Sequence, residues 1–314
     1  MSVVIPVYNV QDYVKDCLDS ILDQTYQMIE IIAVDDGSQD ASPQILKEYS
    51  KRYSNFHTSL QKQNKGQAVA RNIGIDLSKG KYILFVDSDD FIESNTIEVL
   101  VEAIEKYHVD FVRFNAKSFA EDDETIRQEE YNFNLFLNEY EVYKKEAFKN
   151  VYLSFSPSPV LYLFTRELIE KNQIRFMEYI IHEDELYSSD IFLYAESCVY
   201  VDQPFYNRRY RSGSTMTEKS EEQLKYSFDS YIKIIEQYNK LLFKGSFTQK
   251  QKQFLKYRIN SLYVPLLGYA IDPQYKKENL EKVNKGNIFY TKTYKNYIRL
   301  LKAVTITQKK VGLK

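Results

Sequence analysis

The 314-residue sequence lacks tryptophan, holds only two cysteines, and has no strong excess of either charge. The missing tryptophan excludes nothing about function. Cys17 and Cys198 show no paired spacing, so a reduced, cytoplasmic protein is expected rather than a disulfide-stabilised one. The net charge of −2 argues against a nucleic-acid-binding protein.

Export and membrane-spanning signals are also missing. No basic segment with a following apolar core precedes the first strand pattern, so no signal peptide is predicted. No apolar run approaches the ~18 residues of a membrane span. We therefore expect a protein that is neither exported by a signal peptide nor anchored by a transmembrane helix.

Strand and helix patterns alternate over residues 1–116. Short, β-branched apolar runs such as Ile29–Val34 and Tyr82–Val86 indicate buried strands. Segments such as Gln67–Leu77 instead repeat apolar residues at helical spacing. Strands that alternate with helices of this length need crossover connections, which predict a mostly parallel sheet flanked by helices. The sequence therefore predicts an α/β fold.

The pattern changes along the second half of the chain. Glu121–Glu130 is acidic and polar, which predicts an exposed loop, and Tyr140–Val151 has helical spacing. Three helical patterns without intervening strands come last: Glu221–Leu242, Thr248–Leu267 and Thr291–Val304. We predict two domains: residues 1–215 with the sheet, and residues 216–314 with helices for acceptor, oligomer or membrane contact.

One apolar strand pattern ends in a cluster of carboxylates. Tyr82–Asp90 reads YILFVDSDD, with Asp87, Asp89 and Asp90 at its end. Adjacent carboxylates raise one another's pKa unless a cation compensates their charge. Mg²⁺ and Mn²⁺ prefer carboxylate oxygens and commonly bridge them to a diphosphate, and open parallel sheets bind ligands beyond their carboxyl strand ends. The pattern indicates a metal–phosphate site, with a solvated turn or a helix cap as the alternative.

Four motifs in the first part of the chain resemble those of family 2 glycosyltransferases in order and spacing. They are VVIPVYN (Val3–Asn9), VDDGSQD (Val34–Asp40), NKGQAVARNIG (Asn64–Gly74) and FVDSDD (Phe85–Asp90). The resemblance covers residues 1–215 and is most specific in residues 1–120. It implies a GT-A, Rossmann-like fold that binds a nucleotide sugar, and an enzyme that inverts the configuration of the sugar it transfers.

The resemblance implies roles for the motif residues. The segment Pro6–Tyr8 would pack against the base, and Asp36 with Asp35 would read the base or the ribose. Arg71 offers a planar fork for phosphate or pyrimidine oxygens, with a salt bridge at a helix surface as the alternative. Asp89 would bind the metal, Mn²⁺ or Mg²⁺, that bridges the diphosphate. The residues implied to bind the nucleotide are Pro6, Val7, Tyr8, Asn9, Asp35, Asp36, Asn64, Gly66, Arg71, Asp87 and Ser88.

The segment YIIHEDELY, Tyr179–Tyr187, resembles the Glu-Asp motif of the same family. The resemblance implies that Asp184 is the general base and that Glu183 contacts the sugar or orients the site. Inverting sugar transfer needs such a base within hydrogen-bond reach of the acceptor hydroxyl. Acidic residues also favour the first turn of a helix, which is the structural alternative.

A basic segment, YNRRYRSGST at Tyr206–Thr215, resembles the family's stretch with an arginine five residues before a serine. Arg209 and Arg211 lie two residues apart, so on an extended segment they share a face and can bind one diphosphate. They would stabilise the charge of the leaving group. An exposed basic strand is the alternative.

The segment before the Glu-Asp motif departs from the family. Many relatives carry an aromatic residue and then a lysine there, whereas Ser156–Phe164 reads SPSPVLYLF without lysine. Tyr162 is the nearest substitute for that acceptor contact.

The C-terminal segment Lys282–Lys314 carries nine basic residues and no acidic one. Aromatic and basic residues fall on different sides at helical spacing, which suits an anionic membrane surface. This predicts a peripheral contact at the inner face of the cytoplasmic membrane. A packing helix or a contact within a homo-oligomer is the alternative.

The sequence thus predicts a metal-dependent, inverting hexosyltransferase in bacterial surface polysaccharide synthesis. It would move a hexose or N-acetylhexosamine from a UDP-sugar to a hydroxyl of a glycan or lipid-linked acceptor. The alternative is a nucleotide-sugar-binding scaffold without turnover. A haloacid-dehalogenase-like enzyme is disfavoured because its nucleophile follows the first strand, where this chain has Val7, Tyr8 and Asn9. A nucleotidyltransferase is disfavoured because no glycine-rich, arginine-bearing loop follows that strand.

Overall fold

A ten-stranded sheet is the centre of the computed structural model, which describes residues 1–120, 130–210, 220–243 and 246–270. The strands are, in chain order, β1 (Ser2–Val7), β2 (Glu30–Asp35), β3 (Phe56–Leu60), β4 (Tyr82–Phe85), β5 (Phe91–Ile92), β6 (Phe111–Ala120), β7 (Glu130–Tyr131), β8 (Val142–Lys144), β9 (Tyr162–Thr165) and β10 (Ser197–Tyr210). Their order is β3-β2-β1-β4-β9-β6-β10-β5, and β7 pairs with β6 and β8 with β10. Strands β1 to β4 pair in parallel, as do the long strands β6 and β10, whereas β9 is antiparallel to both neighbours.

Helices connect the strands and pack on the sheet. The α-helices of the described ranges are α1 (Val14–Leu22), α2 (Ser42–Arg52), α3 (Gln67–Leu77), α4 (Thr96–Tyr107), α5 (Lys149–Leu153), α6 (Arg166–Lys171), α7 (Glu183–Tyr194), α8 (Glu221–Phe243) and α9 (Gln249–Ala270). Helix α3 packs on β1 and β2, and α4 packs on β6 and β10. Gly74 permits the close approach of α3, because a Cβ there would lie 2.2 Å from Val4 Cγ1.

A cluster of aromatic side chains packs α7 against β4. Tyr187 of α7 stacks on Phe176, with ring centroids 3.8 Å apart. Phe85 of β4 meets both rings edge to face, at 5.4 Å from Phe176 and 5.6 Å from Tyr187. Buried aromatic pairs add specific geometry to the burial of apolar area. The cluster therefore brings the first turn of α7 towards the carboxyl end of β4.

The chain divides into two compact units, Met1–Glu218 and Lys219–Lys314. The first holds the sheet and helices α1 to α7, and in the second α8 and α9 pack against each other. The boundary predicted after residue 215 lies outside the described residues and stays a prediction. The same holds for the helix at Thr291–Val304 and for the membrane or subunit role of Lys282–Lys314. Within the described residues, no helix combines the length and apolar character of a membrane span.

The predicted α/β fold, with its mostly parallel sheet, flanking helices and C-terminal helices, is confirmed. The helix predicted over Tyr140–Val151 is wrong, because Val142–Lys144 forms β8 and only Lys149–Leu153 is α-helical. Strand β8 pairs antiparallel with Ser197–Val199 of β10. A strand distant in sequence thus overrides the local helical spacing. Of the predicted acidic loop, residues 121–129 lie outside the described ranges.

Candidate active site

The carboxyl ends of β1, β2 and β4 lie side by side because the three strands run parallel. Pro6 and Val7 are buried within β1, whereas Tyr8, just beyond it, is 44% exposed. Asn9 has a φ of 50°, and its backbone N–H donates to Ser38 Oγ at 2.9 Å, which ties this strand end to the loop after β2. An exposed aromatic ring at a strand end offers a face on which a base can stack.

Two buried carboxylates end β2, and they differ in their partners. Asp36 accepts hydrogen bonds from the backbone N–H groups of Lys65 at 2.9 Å and Gly66 at 2.7 Å, so it holds the loop before α3. Gly66 has a φ of 96°, a conformation that favours glycine. Asp35 accepts the Gly37 N–H at 3.2 Å through Oδ2, while its buried Oδ1 accepts no hydrogen bond from the described residues. A ribose hydroxyl or a base N–H would satisfy that oxygen.

Asn64, which was predicted to bind the nucleotide, and Asn72 of α3 lie in different surroundings. Asn64 is exposed on the loop that Asp36 holds. Asn72 exchanges two hydrogen bonds of 2.9 Å with the backbone of Phe176. The Phe176 ring in turn lies 5.2 Å from the guanidinium carbon of Arg71. Asn72 therefore fixes the position of Phe176, whose ring packs against Arg71, whereas Asn64 is exposed on the surface.

The DSDD turn, Asp87–Asp90, follows β4. Asp87 and Asp89 are partly exposed, and Asp87 accepts the Gln67 side-chain amide at 3.1 Å. Ser88 and Asp90 are buried. Burial, followed by the charges of Asp89 and Asp87, raises the pKa of Asp90 well above its usual range. A cation beside the turn would offset this accumulation of negative charge.

The residues at the turn fit a metal that binds together with a diphosphate. Among the residues that the structure describes, no group of three His, Cys, Asp or Glu side chains forms a closed metal site. Mg²⁺ and Mn²⁺ are bound through one or two carboxylates, and substrate phosphates and water complete the coordination. Asp87 and Asp89 supply that hard oxygen donor set.

One arginine joins the DSDD turn to the Glu-Asp motif. Arg71, buried on α3, donates from Nη2 to Asp87 Oδ1 at 2.8 Å and from Nη1 to Glu183 Oε1 at 3.0 Å. Burial alone would lower the pKa of Arg71, but the two carboxylates outweigh it and the pKa is raised. The arrangement is a salt bridge, buried rather than at a helix surface. The role of Arg71 towards phosphate or pyrimidine oxygens stays a prediction.

Asp184 lies beside Glu183 in the first turn of α7 and is partly exposed. Burial, followed by the charges of Glu183 and Glu185, raises the pKa of Asp184 to about 7. Arg71 acts in the opposite direction. A general base is most effective when its pKa lies near the working pH. The motif is thus the charged first turn of a helix, and it also presents a carboxylate suited to proton transfer.

Arg209 of β10 reaches the DSDD turn from the other side. Its Nε donates to the backbone carbonyl of Asp89 at 3.0 Å, and its Nη2 donates to Asp16 of α1 at 3.0 Å. The guanidinium carbon lies 5.2 Å from the centroid of the Tyr13 ring. The structure therefore places Arg209 at the turn that carries Asp89. Arg211 lies outside the described residues, and its diphosphate contact stays a prediction.

The expected acceptor contact by Tyr162 is wrong. Tyr162 is fully buried, and its hydroxyl donates to the Ser156 carbonyl at 2.8 Å. Its ring packs edge to face against Phe111 and Phe192, with centroids 5.8 and 5.7 Å away. The apolar run that contains Tyr162 forms β9 in the middle of the sheet, so Tyr162 belongs to the core.

Comparison with known proteins decides the family. The sequence model described as "Glycosyl transferase family 2" matches residues 2–170, more than half of the chain. The chain belongs to glycosyltransferase family 2. The motifs that suggested this family therefore identified it correctly.

Relatives of this family 2 glycosyltransferase include two proteins of Streptococcus pneumoniae serotype 4. It is 35% identical to glycosyltransferase GlyA over 224 residues, which are 68% of this chain but only 31% of GlyA. It is 33% identical to glycosyltransferase GlyG over 226 residues, 69% of this chain and 72% of GlyG. Its fold is similar to S. aureus TarS 1–349 in complex with UDP-GlcNAc, with a TM-score of 0.72, 22% identity, and coverage of 91% of this chain and 80% of that one. At this identity the TarS likeness shows a shared fold.

Some contacts in the site of the family 2 glycosyltransferase were not predicted. Asp16 pairs with Arg209, but it lies on α1 in a stretch that carries no motif. Gln67 and Tyr206 lie inside quoted motifs. The Gln67 side-chain amide donates to Asp87 Oδ1, and the Tyr206 hydroxyl accepts the Asp87 N–H. Their presence in a motif was the available signal. Asp90 was recognised as part of the carboxylate cluster but was not assigned a role of its own.

Removing Arg71 is expected to destabilise the family 2 glycosyltransferase. Arg71→Met leaves Asp87 and Glu183 without their cation, and the Glu183 side chain is only 10% exposed. Breaking such a buried pair costs about 3–5 kcal/mol in the free energy of unfolding. Urea unfolding followed by circular dichroism measures the loss.

The matched control for this prediction is Arg175→Met. Arg175 forms a comparable ion pair with Asp76, but the two side chains are 36% and 63% exposed. Exposed ion pairs contribute about 0–1 kcal/mol, so the control should unfold close to the wild type. Equal losses in the two variants would contradict a stabilising role for the buried bridge.

Proposed function

We propose that this enzyme is a metal-dependent, inverting glycosyltransferase. It moves a hexose or N-acetylhexosamine from a UDP-sugar to a hydroxyl of a glycan or lipid-linked acceptor in bacterial surface polysaccharide synthesis. The observation that carries the proposal is the double ion pair of Arg71, which joins Asp87 of the DSDD turn to Glu183. Because Asp184 follows Glu183 directly, a base candidate stands beside the predicted diphosphate site.

The nucleotide would lie across the ends of β1, β2 and β4. Tyr8 presents an exposed ring to the base. Asp35 keeps a buried oxygen that accepts no hydrogen bond within the described residues and can take a ribose hydroxyl or a base N–H. Asp36 and Gly66 keep the loop before α3 close to these groups. S. aureus TarS, which shares this fold, forms a complex with UDP-GlcNAc, and this supports a UDP-sugar as donor.

The diphosphate would bind at the DSDD turn. Asp89, with Asp87 beside it, would hold Mn²⁺ or Mg²⁺. When bound, the metal would supply positive charge to the diphosphate. Arg209 is anchored on the Asp89 carbonyl and adds a fixed positive charge close to the same turn. A preorganised charge of this kind stabilises a leaving group as its negative charge develops.

Asp184 would remove the proton from the acceptor hydroxyl. The hydroxyl oxygen then attacks the anomeric carbon while the bond from that carbon to the diphosphate oxygen breaks, and the electron pair leaves with UDP. Attack on the side opposite the leaving group inverts the configuration. The pKa of about 7 lets Asp184 accept a proton near neutral pH without staying fully protonated. Glu183, held by Arg71, would orient the sugar or the base.

The deciding experiment is a calorimetric titration of the enzyme with UDP, with Mn²⁺ and with EDTA. We expect the Kd for UDP to fall at least about tenfold with Mn²⁺, equivalent to about 1.4 kcal/mol of binding free energy. CDP is the control and should bind more weakly, because cytosine has an acceptor at ring N3 and an amine at C4 where uracil has an N3–H donor and a carbonyl. A Kd that does not respond to Mn²⁺ would contradict the proposed metal dependence.

A panel of UDP-sugars then tests turnover. Mn²⁺-dependent hydrolysis of one UDP-sugar, and its transfer to a hydroxyl acceptor, is the expected result. Tight UDP binding without hydrolysis or transfer across donors and acceptors would instead favour the nucleotide-sugar-binding scaffold.

A further inference from the structure

The DSDD turn is tied to β10 by four hydrogen bonds. The Tyr206 hydroxyl donates to Asp90 Oδ2 at 2.6 Å and accepts the Asp87 N–H at 3.1 Å. The backbone N–H of Arg209 donates to Asp90 Oδ1 at 2.7 Å, and Arg209 Nε donates to the Asp89 carbonyl at 3.0 Å. Tyr206 and Arg209 thus form hydrogen bonds with the backbone of Asp87 and Asp89, the two partly exposed acids. They also form hydrogen bonds with both carboxylate oxygens of Asp90, the buried acid.

Tyr206 and Asp90 are both buried, at 1% and 5% exposure. A buried polar atom that loses its partner carries the full desolvation cost of that atom, since water cannot replace the partner. The Tyr206 hydroxyl therefore links Asp87 and Asp90, the two ends of the turn, at a buried position where water cannot replace it. Asp90 is engaged on both oxygens by β10, so it acts as an anchor of the turn, and Asp87 and Asp89 remain the accessible acids.

The same strand carries the predicted leaving-group residue. Tyr206 and Arg209 both lie on β10, which pairs in parallel with β6 on one side and antiparallel with Ile92 of β5 on the other. Strand β5 follows the DSDD turn at once along the chain. The DSDD turn, Tyr206 and Arg209 are therefore connected by hydrogen bonds. These bonds fix the position of the predicted metal-binding turn relative to Arg209, the predicted diphosphate-binding residue.

We propose that Tyr206 and Asp90 are positioning residues whose hydrogen bond presents Asp87 and Asp89 to the metal and aligns the turn with Arg209. The inference rests on the proposed function, because it assigns these two residues to the metal–diphosphate site of the same reaction. Both side chains are buried, so direct contact with the substrate is not part of the proposed role. They act through the shape of the turn.

Tyr206→Phe tests this directly, with Tyr162→Phe as the matched control. Tyr162 is also fully buried, and its hydroxyl also donates one hydrogen bond and accepts one, both with the Ser156 backbone, at 2.8 and 3.3 Å. Both variants should lose a similar amount of thermal stability, measured without metal. Only Tyr206→Phe should weaken UDP binding in Mn²⁺, by up to about tenfold, because the turn that Tyr206 no longer holds must then be ordered when the metal and UDP bind. UDP binding in EDTA should be the same in both variants and in the wild type.

The possible outcomes separate the two proposals. If the wild type itself shows no Mn²⁺-dependent UDP binding, the proposed function fails and this inference fails with it. If the wild type shows it and Tyr206→Phe changes it no more than Tyr162→Phe does, the positioning role alone is overturned. If Tyr206→Phe does not fold, Asp90→Asn takes its place, and it should weaken the same Mn²⁺-dependent part of binding. Asp90→Asn with wild-type Mn²⁺ dependence would overturn the role.

Discussion

Replacing Asp184 with asparagine is expected to reduce sugar transfer by about 10²–10⁴-fold while UDP binding persists. Asparagine keeps the size of the side chain but cannot accept the proton of the acceptor hydroxyl. The carboxylate of Asp184 is absent from the set of residues that would bind the nucleotide or the metal, so the Kd for UDP should not change. Initial transfer rates and calorimetric titration of UDP, both in Mn²⁺, measure the two quantities.

The pH profile gives this prediction a second readout. Because the pKa of Asp184 is raised to about 7, the base is protonated and inactive below that pH and deprotonated above it. In the wild type kcat/KM should therefore rise as the pH increases through about 7, and in Asp184→Asn this rise should be missing. Asp190→Asn, which removes the same charge further along α7, should keep both the rate and the profile. A rise near pH 7 that survives in Asp184→Asn would rule out Asp184 as the base.

Replacing Asp89 with asparagine is expected to abolish the Mn²⁺-dependent part of UDP binding and nearly all transfer. A neutral amide is a weak ligand for a hard divalent cation, and Asp89 carries the metal in the proposed site. Loss of a direct ligand should exceed the about 10–100-fold effect typical of residues one shell further out. UDP titrations with Mn²⁺ and with EDTA measure the effect, together with transfer rates.

The controls isolate the metal from general damage. Asp76→Asn removes a carboxylate from the exposed side of α3, where Asp76 pairs with Arg175, and it should leave UDP binding unchanged. In EDTA, Asp89→Asn and the wild type should bind UDP equally. If Asp89→Asn kept its response to Mn²⁺, the metal ligand would have to be sought elsewhere in the turn.

The positions of the donor motifs could be predicted because their signals are local. An apolar run that ends in turn-forming or charged residues marks a strand end wherever it occurs, which places Asp36 and Asp87 correctly. The partners of Arg71 could not be predicted in this way. Its two carboxylates lie 16 and 112 positions away along the chain, and only the packing of α7 on the sheet brings the second within 3.0 Å.

The errors have the same origin. Tyr140–Val151 has helical spacing, but part of it is recruited by β10 as strand β8. Tyr162 was expected to replace the family's acceptor contact, yet β9 inserts between β4 and β6 and buries it. In both segments a strand partner distant in sequence decided the outcome, and local periodicity does not report such partners.

By itself, the sequence determined the family, the α/β class, the strand-end acids and the Glu-Asp motif, because each of these depends on residue types at short spacing. Only the tertiary structure decided how the acids differ. It buries Asp90 against Tyr206, leaves Asp87 and Asp89 partly exposed, and raises the pKa of Asp184 to about 7. The reason is that burial and charge are set by whatever segments pack around a side chain. For this site those segments come from α3, α7 and β10.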